Sequence, residues 1–201
     1  MQVLVIASDS AAGVALLSVL ARWGRHEVEP VTLAASRWKS ERQAKKAVRR
    51  GAPACVVDLR FTHLLAAGDP LQDLDCARSH WLAKACERAG ADYLLLSSAS
   101  VFSGSLPHPY REQETPDAQE PPGSLLAGVE AQVLAACSRA AVLRTGPVFA
   151  SEGPGFLDDI LRALLAGEGR ELDDSDSFCP VPAADLGRVL AGMLDQMDAG
   201  A

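Results

Sequence analysis

Three polar stretches in this chain have residue types and spacing suited to holding an anionic ligand. The first is residues 7–13, ASDSAAG, directly after an apolar run. Ser8, Ser10 and Gly13 there suit a phosphate loop: a glycine lets backbone approach a pyrophosphate closely, and the hydroxyls donate hydrogen bonds to it. Only Gly13 survives of a three-glycine pattern, with Ala7 and Ser10 at the two earlier positions, so a plain strand–helix turn is the alternative reading. The second stretch holds Arg37 and Lys39. No acidic residue stands near the end of the strand before them, where a ribose 2′-hydroxyl would be read. The two cations would suit a 2′-phosphate, and hence NADP over NAD. Arg42, Lys45, Lys46, Arg49 and Arg50 follow, so a solvated basic helix face is the simpler reading. The third stretch is residues 93–104, YLLLSSASVFSG, in which an apolar run ends in Ser97, Ser98 and Ser100. Asp58, Arg60, Thr62 and His63 close another apolar run in the same manner.

The elements that must position these groups follow from periodicity. Short apolar runs at residues 2–7, 27–35, 54–59, 93–96 and 141–144 have the character of parallel strands buried on both faces. Helical stretches at 12–23, 37–50, 71–89, 123–140, 156–166 and 183–197 alternate with them. Gly24 and Gly90 stand where helices stop. The alternation predicts an α/β fold, a doubly wound parallel sheet, with ligands expected outside the carboxyl ends of the strands. Residues 105–122, rich in Pro, Glu and Gln, read as a long surface loop, and residues 171–178 as an acidic one. His80 falls inside a helix and reads as a partly buried structural residue.

Composition narrows the partners. The 201 residues are 48% hydrophobic, with a net charge of −7, which opposes nucleic acid or an anionic membrane as the main partner. The five cysteines are an odd number without CxxC spacing, three of them in strand or helix interiors, and read as reduced thiols. No metal site is expected. No apolar run approaches the ~20 residues of a membrane span, and the chain enters a strand at once without a basic leader. A cytoplasmic protein is the expectation.

The run from Ser97 to Leu134 resembles the dTDP-4-dehydrorhamnose reductase family, a branch of the extended short-chain dehydrogenases. That family carries a motif of the form STDYVFDG followed by PYxExDxPxPxxxYGxxKxxGE. Val101-Phe102-Ser103-Gly104, Pro109-Tyr110-Arg111-Glu112, Gly123 and Glu130 match it. Leu143-Arg144-Thr145 resembles the family's LRT strand end. Asp173-Asp174, Pro180 and Ala184-Asp185-Leu186 resemble its DDQxxxPTxxxDLA segment.

The resemblance implies a Rossmann-like nucleotide-binding domain over residues 1–150, with a shortened substrate-type region over 151–201 packed on it. It implies hydride transfer from NAD(P)H to a keto-sugar nucleotide, using a Ser or Thr and a Tyr-x-x-x-Lys pair in which the Lys tunes the Tyr as proton donor. Carried over by position, the hydroxyl is Ser98, the Tyr position is Pro122 and the Lys position is Leu126. Ala99 and Ser100 replace the family's Asp and Tyr of the strand-end motif. Proline has no proton to give and leucine no charge.

Three functions follow as expectations. The first is a catalytically degenerate relative that binds a nucleotide or sugar nucleotide, or regulates a protein partner; its pocket would be bordered by Ser8, Ser10, Gly13, Asp58, Ser97 and Ser98, with Arg37 meeting the cofactor, NADP or NAD if one binds at all. The second is an active reductase or epimerase using an unorthodox acid such as Tyr110. The third is an assembly subunit without a small-molecule ligand, as a homo-oligomer or with another protein.

Overall fold

The computed structural model describes residues 1–68, 70–150, 156–169 and 179–199. Five parallel strands form one sheet: β1 (Gln2–Ile6), β2 (Glu27–Val31), β3 (Cys55–Asp58), β4 (Asp92–Ser98) and β5 (Ala140–Thr145). Their order is β2-β1-β3-β4-β5, so the chain reverses its direction of travel across the sheet between β1 and β3. That reversal is the switch point at which such sheets open a crevice. The central strands β1, β3 and β4 are short and largely apolar because both faces are covered, whereas β2 at the edge carries Glu27 and Glu29 and is only partly buried.

On one face Leu4, Ile6, Val56, Tyr93 and Leu95 pack under α2 (Glu41–Gly51), α4 (Asp73–Ala89) and α5 (Gly123–Ala136). On the other, Val3, Val5, Cys55, Val57, Leu94 and Leu96 pack under α1 (Ala11–Trp23) and α7 (Ala183–Asp198). α3 (Arg60–Ala66) sits at the carboxyl edge, directly after β3. A second, two-stranded parallel pair joins β6 (Val148–Phe149) to β7 (Val181–Pro182), and α6 (Phe156–Leu165) lies between them in sequence.

The C-terminal helix belongs to the same core as the sheet. Leu186, Leu190 and Leu194 are buried with α1, and a Cβ on Gly187 would come within 2.9 Å of the Ala15 carbonyl carbon. Among the described residues no helix is long and apolar enough to cross a membrane.

Several boundaries differ from the sequence reading. β2 stops at Val31 rather than 35, because residues 32–36 close a turn in which the Ser36 amide donates to Thr32 O at 3.0 Å. The stretch after β3 is helical, as α3. α4 begins at Asp73 rather than 71, where Gln72 and Asp75 form a capping box. α5 ends at Ala136 rather than 140, since Cys137 turns the chain into β5. The acidic stretch at 171–178, with Asp173 and Asp174 of the family resemblance, lies outside the described residues.

Candidate functional site

The turn between β1 and α1 is built as a phosphate loop is, from different residues. Ala7 has φ of 58°, the left-handed conformation normally left to glycine, and it redirects the chain out of β1. A Cβ on Gly13 would stand 2.6 Å from the carbonyl oxygens of both Ala7 and Ser8, so only glycine lets α1 come this close to the strand end. Ser10 caps the helix: its Oγ accepts from the Gly13 amide at 3.0 Å and donates to Ala7 O at 2.7 Å. Ala11 and Ala12 stand in the first turn at the positive end of α1, where helix amides have no intrahelical acceptor. Ser8, only 5% exposed, makes no side-chain hydrogen bond among the described residues. Asp9 works against an anion, although its carboxylate is engaged by the Leu33 amide at 2.7 Å.

Among the described residues, two clefts open at the carboxyl edge of the sheet. The first, of about 310 Å³, is lined by Ser98 at the end of β4 and by Thr62, Leu65 and Ala66 of α3. Thr145 at the end of β5, with Gly146, Pro147 and Val148 beyond it, completes it. Its hydroxyls are mostly turned to local work: Ser98 Oγ accepts from the Ser100 amide at 3.1 Å, and Thr62 Oγ1 donates to Leu59 O at 2.9 Å. Among the described residues this lining holds no titratable side chain. Gly146 is needed because a Cβ there would collide with the carbonyl of Cys179.

The second cleft, of about 370 Å³, lies beyond the end of β2. Ser36, Arg37, Arg60, Gln72, Asp75 and Arg78 supply its polar lining, and Leu33, Leu64, Pro70 and Leu74 its apolar part. Arg78 shapes it by donating from Nε to Trp38 O at 2.9 Å and by pairing with Asp75, which ties the chain after β2 to α4. Arg37 is exposed at this cleft and forms no ion pair with a described residue.

Asp58 requires a correction. Expected to border the ligand edge, it is fully buried, and its carboxylate is surrounded by donors from the fold itself. Arg60 Nε and Nη2 reach it at 2.9 and 2.7 Å, Ser79 Oγ at 2.9 Å and Tyr93 Oη at 2.7 Å. Burial would raise the Asp58 carboxyl, but the Arg60 guanidinium and the hydrogen bonds from Arg60 and Tyr93 hold it below its ordinary value. Burial and the Asp58 charge together push the Tyr93 phenol well above its own.

Ser97 is corrected likewise. Alternation along β4 turns it away from the Ser98 cleft, and its Oγ is buried without a partner. The expected site residues are thus dispersed. Of the set, Ser98 and Thr62 line the first cleft and Arg37 and Arg60 the second, while Ser8, Ser10 and Gly13 form the loop at β1.

The positions that would hold the Tyr and Lys lie at the start of α5. Pro122 is the exposed residue before the helix, and Leu126 is wholly buried with Val101, Val129 and Val133. Tyr110 is engaged elsewhere: it stacks on Phe102 with centroids 4.1 Å apart, and its hydroxyl lies 3.4 Å from Ser103 Oγ. The far neighbour of Phe102 is Arg144, 4.9 Å from its centroid, which pairs with Glu130 at 2.7 Å. Thr145 and Gly146, missed as site residues, were signalled by their place just after a strand end. Arg78 had no signal, since an arginine in a polar helix reads as solvated.

Comparison with known proteins follows the same lines. The family model described as the RmlD substrate binding domain matches residues 1–201. A dTDP-4-dehydrorhamnose reductase of Mycobacterium tuberculosis is 39% identical over 124 residues, which cover 57% of this chain and 39% of that protein. The match therefore spans well under half of the relative's length. Among solved structures, a dTDP-4-dehydrorhamnose reductase from Clostridium acetobutylicum aligns with a TM-score of 0.82 at 18% identity, over 98% of this chain and 71% of the other. One from Bacillus anthracis, in complex with NADP, aligns at 0.76 and 18%, over 96% and 70%. At these identities the structural likeness speaks for the fold.

Proposed function

The chain belongs to the RmlD substrate binding domain family, and from that premise we propose that it is a nucleotide-binding relative of sugar-nucleotide reductases that has given up proton transfer. The observation carrying this reading is the start of α5. Where the family resemblance puts a proton donor and its tuning cation stand Pro122 and a wholly buried Leu126, and among the described residues the cleft around Ser98 is lined by no titratable group. General acid catalysis contributes about 10²–10⁴-fold, so its loss removes most of a reductase's rate while leaving binding intact.

Binding is supported by the parts that remain. The first-turn amides of α1, at Ala11 and Ala12, with Ser8, would receive a pyrophosphate. The cleft at Arg37 would receive an adenosine carrying a 2′-phosphate, and the cleft at Ser98 the other end of a dinucleotide or a sugar nucleotide. NADP is the cofactor this charge pattern favours, as the relative from Bacillus anthracis binds NADP. A bound nicotinamide would supply hydride chemistry; the residues of this chain would position it without supplying the proton.

The test is a thermal melt with NADPH, NADH and dTDP-sugars, followed by a turnover assay with a dTDP-4-keto-sugar. At 100 times its dissociation constant a ligand adds about 2.7 kcal/mol, or roughly 5–11 °C for a chain of this size. Stabilisation by NADPH without its oxidation supports the proposal. Steady turnover overturns the loss of catalysis, and the absence of any shift overturns the binding.

A further inference from the structure

α2 carries an unusual charge for an acidic protein. Seven of the chain's 19 Lys and Arg fall within residues 37–50, beside only one of its 26 Asp and Glu. Arg42, Lys45, Lys46 and Arg49 follow the spacing i, i+3, i+4, i+7, which puts all four on one helix face, and all four are exposed. The opposite face buries Ala44 and Val48.

Like charges at these spacings oppose helix formation, and no described residue pairs with them. None of the four makes an ion pair with a described residue. The nearby pairs are made by other groups: Glu41 with Lys84 and Arg88, and Arg50 with Glu29. The helix is held firmly all the same. Lys84 and Arg88 grip Glu41 at 3.1 Å, and the Lys39 amide donates to Gln43 Oε1 at 2.7 Å.

The stripe leads to the second cleft. Arg37 lines that cleft, and Trp38, the next residue, is bonded through its carbonyl to Arg78 in the same lining. From Arg42 to Arg49 the helix rises about 10 Å, comparable with the Debye length in ~0.1 M salt, so the field of the stripe reaches the region around its N-terminal end. The surface as a whole repels an anion at a net charge of −7.

We propose that the stripe Arg42, Lys45, Lys46 and Arg49 is an electrostatic guide that draws a phosphorylated nucleotide to the Arg37 cleft without touching it when bound. This rests on the nucleotide-binding reading above. A guide of this kind raises the association rate by about 10–10³-fold at low salt and leaves dissociation alone.

The test compares the wild-type protein with the triple variant Arg42→Gln, Lys46→Gln, Arg49→Gln. The substituted positions are exposed, and glutamine keeps helix propensity. NADPH is the probe, and stopped-flow quenching of tryptophan fluorescence reads both rates from about 0.01 M to 0.5 M ionic strength. The expected result is a roughly tenfold lower association rate for the variant at low salt, a flatter salt dependence and an unchanged dissociation rate. An equal association rate at low salt overturns the guide while leaving nucleotide binding standing. A faster dissociation rate also overturns it, because the stripe would then be a direct contact. Failure of the wild-type protein to bind NADPH overturns the guide and the binding reading together.

Discussion

Replacing Asp58 by asparagine separates a structural carboxylate from a ligand-binding one. The substitution is isosteric and leaves Arg60, 1% exposed, without its counter-charge. It also deprives the Ser79 and Tyr93 hydroxyls of a charged acceptor. Removing one partner of a buried ion pair costs about 3–5 kcal/mol. At about 2–4 °C per kcal/mol for a chain of this length, the melting temperature should fall by roughly 6–20 °C.

The pH dependence follows from the lowered Asp58 carboxyl. Its contribution is fully present above the unfolded value of about 3.9 and is lost as pH falls through the lower folded value. The gap between wild type and variant should therefore be constant from neutrality to about pH 5 and close below about pH 4. Circular dichroism melts at pH 7 and pH 3.5, with urea titrations for the free energies, read both quantities. Replacing the pair together, as Asp58→Leu with Arg60→Met, should recover part of the loss, because no charge is then stranded while the Ser79 and Tyr93 hydroxyls still lack an acceptor. A variant Asp58→Asn that melts within about 2 °C of wild type at pH 7 but loses nucleotide affinity would refute the placement of Asp58 as a structural group.

Other perturbations probe the site from different sides. Ser10→Ala removes the helix cap and its bond to Ala7 O; a loss of about 1 kcal/mol, or 2–4 °C, is expected in a thermal melt. Leu126→Lys restores the residue type of the family motif at a position without solvent access. It should destabilise by several kcal/mol and give no gain of turnover with NADPH, as melts and a reductase assay would read. Thiol labelling of the native protein should modify exposed Cys179 first. Cys55, pushed up to about 12 by burial and the Asp92 charge, and the similarly raised Cys86 should react only on unfolding, as mass spectrometry would read.

The sequence by itself determined the class of fold and the family that the chain resembles. Apolar runs alternating with helical periods, with Gly24 and Gly90 as stops, required a parallel sheet covered on both faces. A motif match fixed by spacing put Pro122 and Leu126 where a proton donor and its cation are expected. What the chain could not disclose was the direction of the polar residues at the strand ends. A strand buried on both faces has no apolar–polar alternation to reveal which way its last residue points, so Asp58 and Ser97 looked equivalent to Ser98. Tertiary structure decided the matter: α3 and α4 brought Arg60 and Ser79 over Asp58, and Tyr93 reached it from the neighbouring strand. It also joined Arg78 to the carbonyl of Trp38, forty residues earlier in the chain, and so shaped the cleft at Arg37. Local sequence carries no trace of such a bond, because its energy depends on two distant segments arriving together.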